Sequence, residues 1–178
     1  MSDTARYSLP AIFLHWVQAF LILWLLWLGW TMIDLPKGAE RSAAYGLHKS
    51  LGLLALLLVV VRLAWRRRNP PPPLVMSPGE VRLVAVVHGL LYFFMVAAPL
   101  AGYLASAYTP YAVKFFGLEL PRLAAPDEAL NTAFKLFHKG AVWIGAGIIG
   151  LHVVGALRHG LGPNGVLGRM LPFFVSNR

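Results

Sequence analysis

The chain has 178 residues, of which 58% are hydrophobic and 13% charged, and it carries a formal net charge of +9. Soluble domains have about 45–50% apolar and about 25% charged residues, so this composition indicates a membrane-embedded protein. So much apolar surface excludes intrinsic disorder. The lack of cysteine excludes a disulfide scaffold and thiolate metal centres.

Four apolar runs are each long enough to cross a membrane, which takes about 20 mostly apolar residues. The predicted spans are residues 11–35, 47–65, 83–108 and 137–158. The first run is longer than the apolar region of a signal peptide, about 7–15 residues, and is predicted to be a retained helix. The sequence therefore predicts an all-α fold, a four-transmembrane-helix bundle that forms a single domain over residues 1–178.

Basic residues are divided unequally between the two ends of such a bundle. The end that holds both termini and the 66–82 loop carries nine positive and two negative residues, whereas the other end carries seven and five. Excess Lys and Arg mark the cytoplasmic side of a membrane protein. We therefore predict that both termini are cytoplasmic, and we count Arg62 in this basic collar with Arg66, Arg67 and Arg68. The charge then serves orientation, and no nucleic-acid partner is expected.

Two connections have a distinctive composition. Residues 69–73 read Asn-Pro-Pro-Pro-Pro, which predicts a stiff polyproline II segment between the second and third spans. The longest connection, residues 109–135, mixes proline, aromatic and charged residues. Within it, Phe115, Phe116 and Leu118 indicate a short interfacial element.

Six histidines occur in the chain, and most lie within the predicted spans or at their ends. Ionisable groups in spans usually face the bundle interior or a cavity. His138 and His152 are 14 residues apart, which is about 21 Å along a helix and within about 40° of one face. The topology places His15 at the depth of His152, and His48 at the depth of His138. Two imidazole pairs at two depths predict two bis-histidine haems across the membrane.

Other roles for the histidines remain open at this point. For any single histidine, an imidazole hydrogen-bonded across helices is an equal alternative to a ligand. His88 lies at the depth of His15 and His152, and its position does not exclude it as a ligand. His159 lies at the membrane surface, where it suits a propionate or quinone contact or a solvated position.

Two further features bear on the chemistry. No Asp or Glu lies in the body of a span, which disfavours a di-metal site and a proton pump. Small residues on the fourth span leave room for a flat ring or serve close helix packing, and they are Gly140, Gly145, Gly147 and Gly150.

An ordered set of short motifs resembles the bacterial cytochrome b561 family from about residue 5 to residue 173. The motifs are Arg6-Tyr7-Ser8, Leu14-His15-Trp16, Leu47-His48-Lys49-Ser50-Leu51-Gly52, Val61-Arg62-Leu63, Phe116-Gly117-Leu118, the His138 and Trp143 segment, His152, Gly165-Val166-Leu167 and Arg169-Met170-Leu171-Pro172. The resemblance implies a multi-pass inner-membrane cytochrome with two haem b groups. It implies His15 and His152 as ligands of the inner haem, and His48 and His138 as ligands of the outer haem.

The resemblance also bears on the remaining histidines. A histidine like His88 occurs in family members without serving as a ligand. Two departures from the family pattern are Lys139, where an acidic residue is common, and Arg158-His159 in place of a more His-rich ending.

The function implied by the resemblance is quinone-linked electron transport, in some members with superoxide as the external donor and ubiquinone as the acceptor. This favours an enzyme, a quinone-linked oxidoreductase. Lys49 and Lys139 adjoin the outer ligands and would steer an anion such as superoxide, or else neutralise haem propionates or extend to lipid headgroups. The alternative function is a membrane-anchor electron-transfer subunit for a dehydrogenase or a periplasmic redox partner.

Overall fold

The computed structural model describes residues 7–73, 76–160 and 166–170. The elements follow in chain order: helices α1 (Leu9–Thr31), α2 (Ala39–Arg68) and α3 (Pro78–Ala107), strands β1 (Lys114–Phe115) and β2 (Leu118–Glu119), helix α4 (Glu128–Gly160) and a C-terminal 3₁₀ turn (Val166–Arg169). The helices differ from the predicted spans mainly at their ends. Both α2 and α4 begin several residues before the apolar runs predicted at 47–65 and 137–158. Each has a glutamate in its first turn, Glu40 in α2 and Glu128 in α4, and a carboxylate there stabilises the positive end of the helix dipole.

Local sequence also determines where the helices begin and end. Prolines occupy the first turns of α1 and α3, where a backbone N–H has no partner within the helix. Ser77 and Glu80 form a capping box, in which each side chain accepts a hydrogen bond from the backbone N–H of the other residue. Arg66, Arg67 and Arg68 end α2, where cations stabilise the negative end of the helix dipole.

All four helices are long and apolar enough to cross a membrane. Large apolar side chains cover much of their outer surface, and on α1 the exposed fractions of Phe13, Phe20 and Trp27 are 67%, 68% and 55%. Such a surface suits lipid, and helices satisfy their own backbone hydrogen bonds there. The four predicted membrane spans are therefore confirmed.

The helices pack in sequence, α1 against α2, α2 against α3 and α3 against α4, with the last contact the most extensive. Small residues allow close approach between neighbouring helices, and several are buried, namely Ala55, Ala101, Ala105 and Ala141. By contrast, α1 and α4 meet through ring contacts. One is Trp30 against Trp143, with ring centres 5.4 Å apart.

The long connection between α3 and α4 contains an antiparallel hairpin of β1 and β2. Its turn residues, Phe116 at φ 47° and Gly117 at φ 90°, are both left-handed, as a type I′ turn requires. The Ser50 hydroxyl accepts a hydrogen bond from the Phe116 N–H at 2.9 Å and lies 3.4 Å from the Lys114 carbonyl oxygen. The element expected in this loop is thus a hairpin attached to α2 two residues after His48.

Three hydrogen bonds join the described terminal segments to one end of the bundle. Trp16 Nε1 donates to the Met170 carbonyl at 2.8 Å, Trp65 Nε1 donates to Ser8 Oγ at 3.0 Å, and Arg169 donates to the Pro73 carbonyl at 3.1 Å. This end also carries the basic end of α2, and it is the one predicted to be cytoplasmic. It is called the inner end below. Arg6 and the Leu171-Pro172 motif lie outside the described residues.

Candidate functional site

His48 of α2 and His138 of α4 form the outer histidine pair. Their ring centres are 6.3 Å apart and their planes make an angle of 90°. His138 Nδ1 lies 2.7 Å from the Ala98 carbonyl oxygen, and because a carbonyl only accepts, Nδ1 carries the proton and Nε2 is left free to bind a metal. His48 Nδ1 is buried and has no hydrogen-bond partner among the described residues.

Two glycines make room for the rings of the outer pair. A Cβ at Gly29 of α1 would lie 3.1 Å from His48 Cε1, and a Cβ at Gly102 of α3 would lie 3.1 Å from His138 Cε1 and Nδ1. Any side chain at either position would therefore press on an imidazole. The glycines singled out on the fourth span behave differently, since Gly145 faces Phe94 and a Cβ on Gly140 would contact nothing within 4 Å.

His15 of α1 and His152 of α4 form the inner histidine pair. Their ring centres are 6.2 Å apart and their planes make an angle of 64°. Arg62 of α2 donates from Nη2 to His15 Nδ1 at 2.9 Å and from Nη1 to Gln18 Oε1 at 3.2 Å. Gln18 is 1% exposed. A polar network thus holds one member of the inner pair.

A third imidazole, His88 of α3, lies in the same layer. Its ring centre is 5.2 Å from that of His152, with an angle of 61° between the planes. Within residues 7–73, 76–160 and 166–170, no three His, Asp or Glu side chains converge on a metal-ion site. The three inner histidines are therefore not arranged around one bare metal ion.

The spacing of both pairs fits a metal held between two imidazoles. With metal–nitrogen bonds of about 2.0 Å and about 1.1 Å from each nitrogen to its ring centre, the ring centres stand about 6.2 Å apart. The ring centres of the inner and outer pairs are 6.2 Å and 6.3 Å apart. The His88–His152 separation of 5.2 Å is too short for this arrangement. Two such sites, one above the other in an apolar bundle, suit two planar metal cofactors with axial imidazoles.

The same spacing of 14 residues recurs on all four helices. The sequence shows this spacing for His138 and His152 on α4, and the structure extends it to α1, α2 and α3. The pairs of outer and inner positions are Gly29 and His15, His48 and Arg62, Gly102 and His88, and His138 and His152. Gly29 and Gly102 carry no chemical signal of their own in the sequence, and Arg62 is predicted to belong to the basic collar. The signal that would reveal all three is their distance of 14 residues from a histidine.

The model of the prokaryotic cytochrome b561 family matches residues 6–173. This chain belongs to that family. Cytochrome b561 homolog 1 of Escherichia coli K12 is 27% identical over 178 residues, covering 94% of this chain and 97% of that protein. Probable superoxide oxidase CybB of Yersinia pestis is 30% identical over 159 residues, covering 86% of this chain and 88% of that protein. Cytochrome b561 homolog 2 of Escherichia coli K12 is 30% identical over 158 residues, covering 86% of this chain and 84% of that protein.

Family membership confirms the resemblance drawn from the motifs. As a cytochrome b561, the chain is a multi-pass protein of the bacterial inner membrane that binds haem b and transfers electrons. The donor set of the histidine layers fits this cofactor, because a low-spin electron-transfer haem takes two imidazoles and the chain has no cysteine to offer instead.

The two lysines beside the outer pair differ in exposure. Lys49 is half-buried on α2, whereas Lys139 is exposed on α4. Among the described residues the ion pair found is Lys114 with Glu119 at 3.1 Å, on the nearby hairpin, so neither lysine is neutralised by a carboxylate of the described chain. In this cytochrome b561, Lys49 directly follows His48 and Lys139 directly follows His138.

His159 lies apart from the inner histidines. It is half-buried near the end of α4 and interacts electrostatically with Glu80 at the start of α3. None of the ring contacts among the described residues involves it. The predicted propionate or quinone contact of His159 stays a prediction.

Proposed function

We propose that this cytochrome b561 binds two haem b groups, one between His15 and His152 and one between His48 and His138, and carries electrons between an external donor and the quinone pool. The observation that supports the two sites best is the ring separation of 6.2 Å in the inner pair and 6.3 Å in the outer pair. When bound, such haems supply one-electron redox chemistry at an iron that has no open position for oxygen.

The residues of the chain would hold the two haems by different means. On the outer side, the Ala98 carbonyl fixes the tautomer of His138, which orients Nε2 as a ligand. Gly29 and Gly102 let the backbones approach the rings of His48 and His138. On the inner side, Arg62 and Gln18 place a polar network beside His15.

We propose superoxide as the donor and ubiquinone as the acceptor. Each superoxide anion would lose one electron and leave as O₂, and two such electrons with two protons would convert one ubiquinone to ubiquinol. The support comes from the related Yersinia pestis protein named probable superoxide oxidase and from Lys49 and Lys139, whose charge would raise the rate of encounter with an anion.

The test is ubiquinone reduction by the purified, haem-loaded protein in lipid nanodiscs supplied with enzymatically generated superoxide. We expect ubiquinol to form, formation to stop when superoxide dismutase is added, and the rate to fall as ionic strength rises. Lys49→Ala and Lys139→Ala should lower the rate, whereas Lys37→Ala, an exposed lysine in the α1–α2 connection, should not. An intact two-haem protein that reduces no ubiquinone would contradict the donor assignment. Reduction only with a co-purifying partner would favour the electron-transfer subunit instead.

A further inference from the structure

Arg62 is a cation inside the bundle that lacks a carboxylate partner in the described chain. Its guanidinium donates to His15 Nδ1 at 2.9 Å and to Gln18 Oε1 at 3.2 Å, and it lies 5.5 Å from the centre of the Tyr92 ring. The ion pair among the described residues, Lys114 with Glu119, is at the other end of the molecule. An uncompensated charge among membrane helices is costly, so Arg62 requires a counter-ion.

The hydrogen bond between Arg62 and His15 is incompatible with the proposed role of His15 as an iron ligand. A neutral imidazole that binds iron through Nε2 keeps its proton on Nδ1. Nδ1 is then a donor, and a guanidinium has donors only. When the inner haem is bound, Arg62 Nη2 must therefore turn from His15 to another acceptor, while Nη1 keeps Gln18.

The acceptor that arrives with the haem is a carboxylate, because haem b carries two propionate groups. We propose that Arg62 binds a propionate of the inner haem and is its counter-ion in the bundle, an assignment that rests on the proposed two-haem function. Arg is suited to this role because its planar guanidinium pairs with a carboxylate through two parallel hydrogen bonds. At the corresponding position of the outer layer, 14 residues before Arg62 on α2, the residue is His48.

The pairing affects the redox equilibrium of one haem. Neutralising a propionate favours the ferrous state of the haem. Arg62→Gln should therefore lower the equilibrium constant for reduction of the inner haem about tenfold, which lowers its midpoint potential by about 59 mV. Arg62→Lys keeps the charge and should restore most of the potential. Arg66→Gln is the matched control, because Arg66 lies one helical turn further on and contacts the same Tyr92 ring at 5.7 Å.

The experiment is a spectroelectrochemical redox titration of the purified wild type and these three variants, after haem has been counted per chain. A His138→Ala protein, which lacks an outer ligand, identifies the potential of the inner haem. Lowering of that potential in Arg62→Gln, or loss of the inner haem there with retention in Arg62→Lys, supports the proposal. Unchanged potentials in Arg62→Gln, or an equal effect of Arg66→Gln, would overturn it. Fewer than two haems in the wild type would instead refute the proposed two-haem function.

A second arm separates the propionate from every other acceptor. Wild type and Arg62→Gln are reconstituted with the dimethyl ester of iron protoporphyrin IX, which has no free carboxylate. If Arg62 binds a propionate, occupancy of the inner site should fall with the ester in the wild type, where the guanidinium loses its carboxylate, and should change little in Arg62→Gln. An equal fall in both proteins would mean that Arg62 contacts no propionate, and would overturn the proposal.

Discussion

The outer layer of the bundle holds two histidines and two glycines, whereas the inner layer holds three histidines and an arginine at the corresponding positions of the same four helices. Outside, the rings are positioned by close backbone, with Gly29 and Gly102 against His48 and His138. Inside, His15 is held by the side chains of a polar network. One spacing thus gives two sites that are alike in ring separation and different in what surrounds the rings.

This difference has consequences for how each site tolerates change. In the outer site there is no space for a side chain at Gly29 or Gly102. The ring contacts of the described residues show no third imidazole there that could compete for the metal. The inner site contains His88, whose ring centre is 5.2 Å from that of His152, and a guanidinium close to His15. We expect the outer site to be sensitive to steric change and the inner site to be sensitive to changes of charge.

The largest expected effect is the loss of one haem from one layer. His138→Ala should reduce the haem content from two per chain to about one and leave the inner haem, because an axial imidazole of the outer site is removed. His152→Ala should do the converse. The pyridine haemochromogen assay on purified protein measures the content, and redox titration shows which haem is left. If both variants lost both haems, or if neither variant lost a haem, the proposal of two independent haem layers would be wrong.

The next largest effect is expected from added bulk beside the outer pair, which should affect the outer haem and not the inner one. Gly102→Val would drive a side chain into His138 from 3.1 Å, and overpacking of this kind typically costs about 1–3 kcal/mol. We expect a lower content of the outer haem and an unchanged inner haem. Gly140→Val is the matched control on α4, since a Cβ there meets nothing within 4 Å. Equal haem loss in both variants would show that the effect is general destabilisation.

A smaller effect is expected for the third inner imidazole. His88→Gln should keep two haems with low-spin spectra, because the His88–His152 separation is too short for an iron between the rings. His15→Gln should lose the inner haem. If the two variants behave in the opposite way, His88 and not His15 is the partner of His152. The haem content and the visible absorption spectrum of the ferrous protein decide between them.

The smallest effect is expected at the hairpin over the outer layer. Ser50→Ala removes the acceptor of the hydrogen bond from the Phe116 N–H. Such a hydrogen bond contributes about 0.5–1.5 kcal/mol to stability, so its loss should speed amide exchange in residues 114–119 by up to about tenfold. Ser42→Ala on the same helix is the control, because Ser42 Oγ donates to the carbonyl of Gly38, the residue before α2, at 2.9 Å. Hydrogen–deuterium exchange followed by mass spectrometry measures this. An equal change in both variants would show that Ser50 does not hold the hairpin.

The sequence predicted the four spans from apolar run length, and helical spacing with topology predicted which histidines lie together, as the structure has them. Their role as haem ligands stays a prediction. The contacts of Gly29 and Gly102 could not be predicted in the same way, since they depend on how each helix is rotated toward its neighbours. Arg62 precedes a run of three arginines, and this pattern predicts that it belongs to the basic collar, although its side chain turns into the bundle. The hairpin has strands of two residues, too short for an alternating pattern, and a non-glycine residue at φ 47° in its turn.

The central claim is that two bis-histidine haems occupy one chain, and near-infrared magnetic circular dichroism of the quantified ferric protein tests it most directly. We predict two haem b per chain, with the whole signal in the band of low-spin iron bound by two nitrogen ligands. One haem per chain, or half of the signal in a high-spin or methionine-ligated form, would contradict the account.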